Sequence, residues 1–175
     1  MPNLHSRQSS PPTRRPRPRS GIAVALSIAF LAALNLYVFR DHWRGNTSFT
    51  FDFPATYYAA TSYWIASLQT GEWPHWIPYQ SLGYPAALNL QLGLFYPPFW
   101  VFVLLRLPYT LHAANIVQAL HVLFGSIGFF CFARRSFRLS VALAGAVCFA
   151  LFGGFYSNAE HADIVRGFSW VPWLF

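Results

Sequence analysis

The sequence contains no lysine: all twelve of its basic residues are arginines, and only five residues are acidic. Charged residues make up 10% of the chain, against about 25% in ordinary soluble domains. That shortage excludes a water-soluble globule with a normal solvating surface. Cysteine is scarce as well. Cys131 and Cys148 both lie inside apolar runs. In separate helices rising about 1.5 Å per residue they stand at different depths, beyond the roughly 7 Å Cα reach of a disulfide. They read as small buried hydrophobes. The formal net charge of +7 does not point to nucleic acid, because Arg7, Arg14, Arg15, Arg17 and Arg19 all precede the first apolar run. A nucleic-acid reader spreads its basic face over a folded domain.

What the chain has in abundance is apolar and aromatic: 55% hydrophobic, 19% Phe, Trp and Tyr. Gly21–Phe39 carries no charge over 19 residues. At about 1.5 Å per residue it covers roughly 28 Å, close to the hydrocarbon thickness of a bilayer. Its exit, Tyr37-Val38-Phe39-Arg40, lacks the small-x-small pattern of a cleavage site, so it reads as an uncleaved anchor. Residues Met1–Ser20, rich in proline, serine and arginine, cannot bury enough surface to offset ordering entropy and read as a disordered tail. Positive-inside asymmetry places that tail in the cytoplasm.

The expected fold class is an all-α membrane protein: polytopic transmembrane helices with an aromatic, proline-rich outer loop containing interfacial helices. After the anchor (21–39), residues 40–111 form that loop. Within it Ala55–Gln69 reads as a helix, with Tyr57, Ala60, Trp64 and Leu68 on one face, Pro54 in its first turn and Gly71 ending it. Gly71–Asn89 reads as irregular and interfacial. Leu92–Leu107 is short, and Pro97-Pro98 breaks a helix near its start. It reads as a re-entrant or interfacial segment, because only then do Arg134, Arg135 and Arg138 fall on the cytoplasmic side. Residues 112–133 and 140–156 are the second and third spans, 134–139 the cytoplasmic turn, and 157–175 a return to the outer side. Phe168–Phe175 resembles the start of another apolar segment, so the chain is expected to be the front of a longer protein, inactive alone.

Two stripes predict packing. Asn115, Gln118, His121, Gly125 and Gly128 fall on one arc of a helix, while Ala142, Ala146, Ala150 and Gly154 recur every four residues. Small residues permit close helix approach, and polar groups in lipid turn toward protein.

The acidic residues Asp41, Asp52, Glu72, Glu160 and Asp163 all fall on the outer side of this topology. Asp41 pairs with a neighbouring arginine. Asp52 is open to two readings: a cap for the helix at Ala55, or a general base raised in pKa by the flanking rings. Glu160-His161-Ala162-Asp163, with Arg166 after it, could hold a divalent cation or clamp a phosphate, although its spacing matches no strong metal motif.

Asp52, then Gly71-Glu72-Trp73-Pro74-His75-Trp76-Ile77-Pro78, Gly83-Tyr84-Pro85, Asn89 and Gly93-Leu94-Phe95-Tyr96-Pro97 resemble the first outer loop of the YfhO family of bacterial membrane proteins. His121, Arg134-Arg135, Gly153-Gly154, His161 and Trp170-Val171-Pro172 resemble the family's next segments. The likeness runs from Asp52 to Phe175 and departs from the family at Ile77, where asparagine is expected. It implies a glycosyltransferase of the C superfamily in the bacterial cytoplasmic membrane, taking a polyprenyl-phosphate-linked sugar on the outer face. Asp52 would then serve as base or metal-linked activator. Arg166 would offset charge on the lipid phosphate. Trp73, Trp76 and His161 would contact substrate, and Glu160 and Asp163 would help hold a divalent cation. Two alternatives stay open. One is a lipid or glycan transporter component using Asn115, Gln118 and His121 at mid-membrane. The other is a non-catalytic membrane scaffold.

Overall fold

A computed structural model describes residues 21–175; the tail Met1–Ser20 lies outside the described residues. The chain is mostly helical. Three helices are long and apolar enough to cross a membrane: α1 (Gly21–Val38), a long central helix (Leu111–Ala133) and the run Leu139–Ser157. Between the first and second come α2 (Arg40–Arg44), a π-helical turn (Phe53–Tyr58) continuing into α3 (Ala59–Gln69), an antiparallel pair β1 (Trp76–Ile77) and β2 (Tyr84–Pro85), and α4 (Pro97–Leu104). The central helix is α5. The third run is broken into α6 (Leu139–Ala150) and α7 (Gly153–Ser157), and α8 (Ala162–Trp170) follows, extended by a 3-10 turn at Val171–Trp173.

The three apolar runs form helices where the sequence places them. Thr110 opens α5 by accepting from the Ala113 amide at 3.1 Å, which satisfies one of the orphan donors of a helix N-terminus. The break after α6 falls at Leu151-Phe152, where Phe152 is extended, just before Gly153-Gly154. Glycine costs a helix about 1 kcal/mol relative to alanine, so the pair favours interruption there.

The polar arc of α5 is its buried face. Asn115, Gln118 and His121 are all buried, and each ties a different segment to the helix. Asn115 Oδ1 accepts from Ser48 Oγ (3.0 Å) and the Phe49 amide (3.3 Å), fixing the segment that leaves α2. Gln118 Nε2 donates to the Ala159 carbonyl at 3.3 Å. Two apolar clusters line up along α5. One holds Phe39, Phe49, Phe53, Tyr57, Ala119, Phe155 and Val165 toward its N-terminal half. The other holds Leu31, Phe130, Ala133, Ala142 and Ala146 toward its C-terminal end. Ala142 and Ala146 are fully buried there, so the small-residue stripe of α6 is a packing face.

Several local expectations change. The first-loop helix starts at Phe53 rather than Ala55, and its opening turn is π-helical. Its apolar face does hold, since Tyr57, Ala60 and Trp64 are buried and Leu68 packs beside Trp64. Asp52 does not cap it. Its backbone is already helical (φ −68°, ψ −19°) and its side chain makes no capping bond, whereas a side-chain cap needs an extended N-cap residue. Asp52 is also exposed rather than enclosed by rings. Pro97-Pro98 starts α4 instead of breaking it, because the missing N–H of a first-turn proline has no intrahelical partner to lose. At eight residues, α4 is about 12 Å long, less than half a bilayer core. The irregular stretch Gly71–Asn89 contains a two-residue antiparallel pairing, Trp76 opposite Pro85 and Ile77 opposite Tyr84.

The end of the chain also departs from a simple outer loop. Beyond Ala159, at the level of Gln118, α8 runs down α5 in the same direction. A Cβ on Gly125 would meet Ser169 Cα at 2.9 Å, and one on Gly128 would collide with the Trp173 indole. Trp173 Nε1 donates to the Phe124 carbonyl at 3.1 Å, and Arg135 Nη1 donates to the Phe175 carbonyl at 2.6 Å. Residues 162–175 therefore follow α5 to its C-terminal end.

Candidate functional site

The site is built where α8, the π-helical turn and the segment before α4 meet. On α8, Asp163, Arg166, Gly167 and Trp170 stand at i, i+3, i+4 and i+7, the spacing of one helical face. All four line a cavity of about 240 Å³, closed on the other side by Leu90, Gln91, Gly93 and Tyr96.

Asp163 is held at both oxygens. The Tyr57 hydroxyl donates to Oδ1 at 2.6 Å, and Gln91 Nε2 donates to Oδ2 at 3.2 Å. Tyr57 also stands 3.4 Å from His161 Nδ1. Burial, then the hydrogen bond and negative charge of Asp163, raise the Tyr57 pKa above its ordinary value, with Asp52 adding a smaller push. Tyr57 therefore stays a neutral donor. The Asp52 carboxylate reaches this cluster by its field, while making no hydrogen bond of its own among the described residues. Glu160 leans on His161 at 3.5 Å.

Arg166 is the buried charge of the site, only 7% exposed. Its Nε donates to the Ala162 carbonyl (2.9 Å) and Nη2 to the Gln91 carbonyl (2.8 Å), while Nη1 has no hydrogen-bond partner among the described residues. The guanidinium lies 5.6 Å from the Tyr96 ring centre and 5.1 Å from that of Phe99. Among the described residues no carboxylate stands within 4.0 Å of it. An arginine remains charged in a protein; Asp163, one turn away on the same cavity wall, acts on it through its field without a direct ion pair, and a buried charge compensated only at that distance is costly. The arrangement therefore favours an anion in the cavity. Gly93 makes room for the guanidinium: φ is +70°, and a Cβ there would meet Arg166 Nη1 at 2.7 Å and Phe99 Cε2 at 2.8 Å.

Beside this cavity runs an apolar groove of about 500 Å³ between α4 and α5, lined by Pro98, Val101, Phe102, Val117, Leu120 and Phe124. Tyr96 and Trp170 belong to both spaces. They are fixed by a chain of hydrogen bonds. Trp170 Nε1 donates to the Tyr96 hydroxyl (2.8 Å), which donates to His121 Nε2 (2.6 Å), leaving His121 Nδ1 to donate to the Val117 carbonyl (2.6 Å).

Of the residues singled out in the sequence, Asp163 and Arg166 line one cavity; His161 is joined to Asp163 through Tyr57, and Glu160 lies against His161. Trp73 and Trp76 do not join them. Both are exposed, and the Trp76 indole lies against Gly83, in the space a Cβ there would need. Glu160 and Asp163 are engaged with different partners, and among the described residues no three His, Cys, Asp or Glu groups converge. Tyr57, Gln91, Gly93 and Tyr96 are the site residues that sequence reasoning misses. Only Gly93 and Tyr96 carry a hint, as members of the Gly-Leu-Phe-Tyr-Pro piece.

The fold and site define a mostly helical protein, with three helices of membrane-crossing length and apolarity, in which a buried arginine cavity opens beside an apolar groove. No family model, curated protein or solved structure matches this chain.

Proposed function

We propose that the chain forms the donor-binding part of an integral membrane glycosyltransferase that uses a polyprenyl-phosphate-linked sugar at the outer face of the bacterial cytoplasmic membrane, as its likeness to the YfhO family implies. The observation that carries the reading is that the Arg166 cavity and the apolar groove lie side by side, with Tyr96 and Trp170 lining both. A polyprenyl phosphate needs both halves: a cation for the phosphate and an apolar channel for the chain. Arg166 Nη1 supplies two N–H donors for phosphate oxygens, and its positive charge offsets the negative charge that grows on the leaving phosphate. A carboxylate, Asp52 or Asp163, takes the proton of the acceptor hydroxyl.

The topology follows the arginines. Met1–Ser20 and the Arg134-Arg135-Arg138 turn lie in the cytoplasm, and the π-helical turn, His161 and the cavity lie at the outer leaflet. The polar groups of α5 support the enzyme over a transporter. Asn115, Gln118 and His121 are engaged in hydrogen bonds to the loop, to the segment before α8 and to Tyr96.

The test uses right-side-out spheroplasts and inverted vesicles from cells carrying the whole proposed glycosyltransferase, of which this chain is the donor-binding part, supplied with a panel of radiolabelled polyprenyl-phosphate hexoses and pentoses. Transfer is expected from one donor of the panel in spheroplasts only. Arg166→Gln should lower it at least about tenfold, the loss expected for one charged hydrogen-bonding partner. Transfer in inverted vesicles alone, or unchanged transfer by Arg166→Gln, would contradict the reading.

A further inference from the structure

Two carboxylates, Asp52 and Asp163, act on Tyr57, and they differ in what matters for taking a proton at a defined place. We infer that Asp163, rather than Asp52, is the base that accepts the acceptor's proton; this rests on the glycosyl-transfer reading above. Asp163 lines the same cavity as Arg166, one helical turn from it on α8. Asp52 does not line that cavity, is exposed, and has no hydrogen bond to orient its carboxylate.

Orientation is what a general base requires, because it must lie within hydrogen-bond reach of one particular hydroxyl. The Asp163 carboxylate is pinned at Oδ1 by Tyr57 and at Oδ2 by Gln91. Each carboxylate oxygen has two lone-pair sites, so these bonds fix the group and still leave one position per oxygen for a substrate hydroxyl. Gln91 also acts on the cation, because its carbonyl accepts from Arg166 Nη2 at 2.8 Å while its side chain holds Asp163 at 3.2 Å. One residue thus sets the distance between the proposed base and the cation.

During transfer the hydroxyl proton passes to Asp163, and the oxygen lone pair forms the new bond to the anomeric carbon. The bond from that carbon to the lipid phosphate oxygen breaks, its electron pair staying with the phosphate, whose added charge faces Arg166. Asp163 then returns the proton to water. Tyr57 and Gln91 act only through Asp163 and Arg166, as positioning residues.

The experiment compares Asp163→Asn, Asp163→Ala, Asp52→Asn and Tyr57→Phe in native membranes, with the donor that the panel of lipid-linked sugars identifies. Asp163→Asn should lower kcat by about 100- to 10,000-fold, the usual cost of losing a general base, with KM for the donor changed by less than about threefold. Added formate should restore part of the activity of Asp163→Ala, because a small carboxylate can replace the missing one; a misfolded protein would gain nothing. Tyr57→Phe should lower kcat about tenfold with KM held. The inference is overturned if Asp52→Asn loses as much kcat as Asp163→Asn or more, if Asp163→Asn keeps near-normal turnover, or if formate restores nothing. Absence of transfer in the unaltered protein would overturn the glycosyl-transfer reading as well, which separates the two failures.

Discussion

Gly93→Ala should push the Arg166 guanidinium from its place, weakening retention of a polyprenyl phosphate at least about tenfold and lowering stability by about 2–5 kcal/mol. Two effects add at this one position. The backbone is left-handed, with φ +70°, a conformation that costs an L-residue about 1–2 kcal/mol. The new methyl group would also stand 2.7 Å from Arg166 Nη1 and 2.8 Å from Phe99 Cε2. Neither neighbour can yield easily. Arg166 is tied by two hydrogen bonds to backbone carbonyls, and Phe99 is buried among Trp64, Leu94 and Tyr109. Thermal unfolding in detergent and equilibrium binding of the lipid phosphate would both register the change. If neither moved, the guanidinium would not be confined by Gly93.

Gly125→Ala should detach α8 from α5, while Gly167→Ala, the same change on the facing helix, should do nothing harmful. At Gly125 a Cβ would stand 2.9 Å from Ser169 Cα. That is a backbone atom, which no rotamer change can move aside. Ser169 is fully buried, and its hydroxyl donates to the Arg166 carbonyl at 2.6 Å, so a shift there carries Arg166 with it. The expected cost is about 1–3 kcal/mol by overpacking. At Gly167 nothing lies within 4 Å of the added carbon, and alanine in a helix interior gains roughly 0.5–1 kcal/mol over glycine. Limited proteolysis distinguishes the two. Trypsin should cut after Arg166 in Gly125→Ala and leave Gly167→Ala intact at that bond. Equal resistance in both would mean that the close contact at Gly125 is not needed to seat α8.

What could be read from the sequence, and what could not, divides along a physical line. The long apolar runs give α1, α5 and the third helix, because a continuous charge-free stretch of that length has few other ways to satisfy its backbone. The arc Asn115–Gln118–His121–Gly125–Gly128 gives the buried face of α5, because its period is that of the helix itself. The face of Tyr57, Ala60 and Trp64 holds even though the turn before it is π-helical, since burial tolerates a small change of winding. The cap assigned to Asp52 fails because it depends on the φ and ψ of one residue, which the sequence does not state. The partners of Asp163 come from Tyr57 and Gln91, 106 and 72 residues away, and no local pattern encodes such a pairing. Trp73 and Trp76 look like sugar-stacking rings by type and neighbourhood, yet the short strand pair turns Trp76 onto Gly83. The path of 162–175 down α5 is also a tertiary result. It is set by where Gly125 and Gly128 leave room, although those glycines are visible in the sequence as a small-residue spacing.

Cavity and groove form one site only if a single anionic lipid lies with its phosphate at Arg166 and its chain along the groove. Photo-crosslinking with a polyprenyl phosphate carrying a diazirine in its first isoprene units, followed by peptide mapping, reads that placement directly. Label is expected on Val101, Leu120 and Phe124, with loss of that label in Arg166→Gln and little label from the uncharged polyprenol. Equal labelling of those residues by polyprenol, or label confined to the exposed face of α1 at Ile22, Leu26 and Phe30, would contradict it.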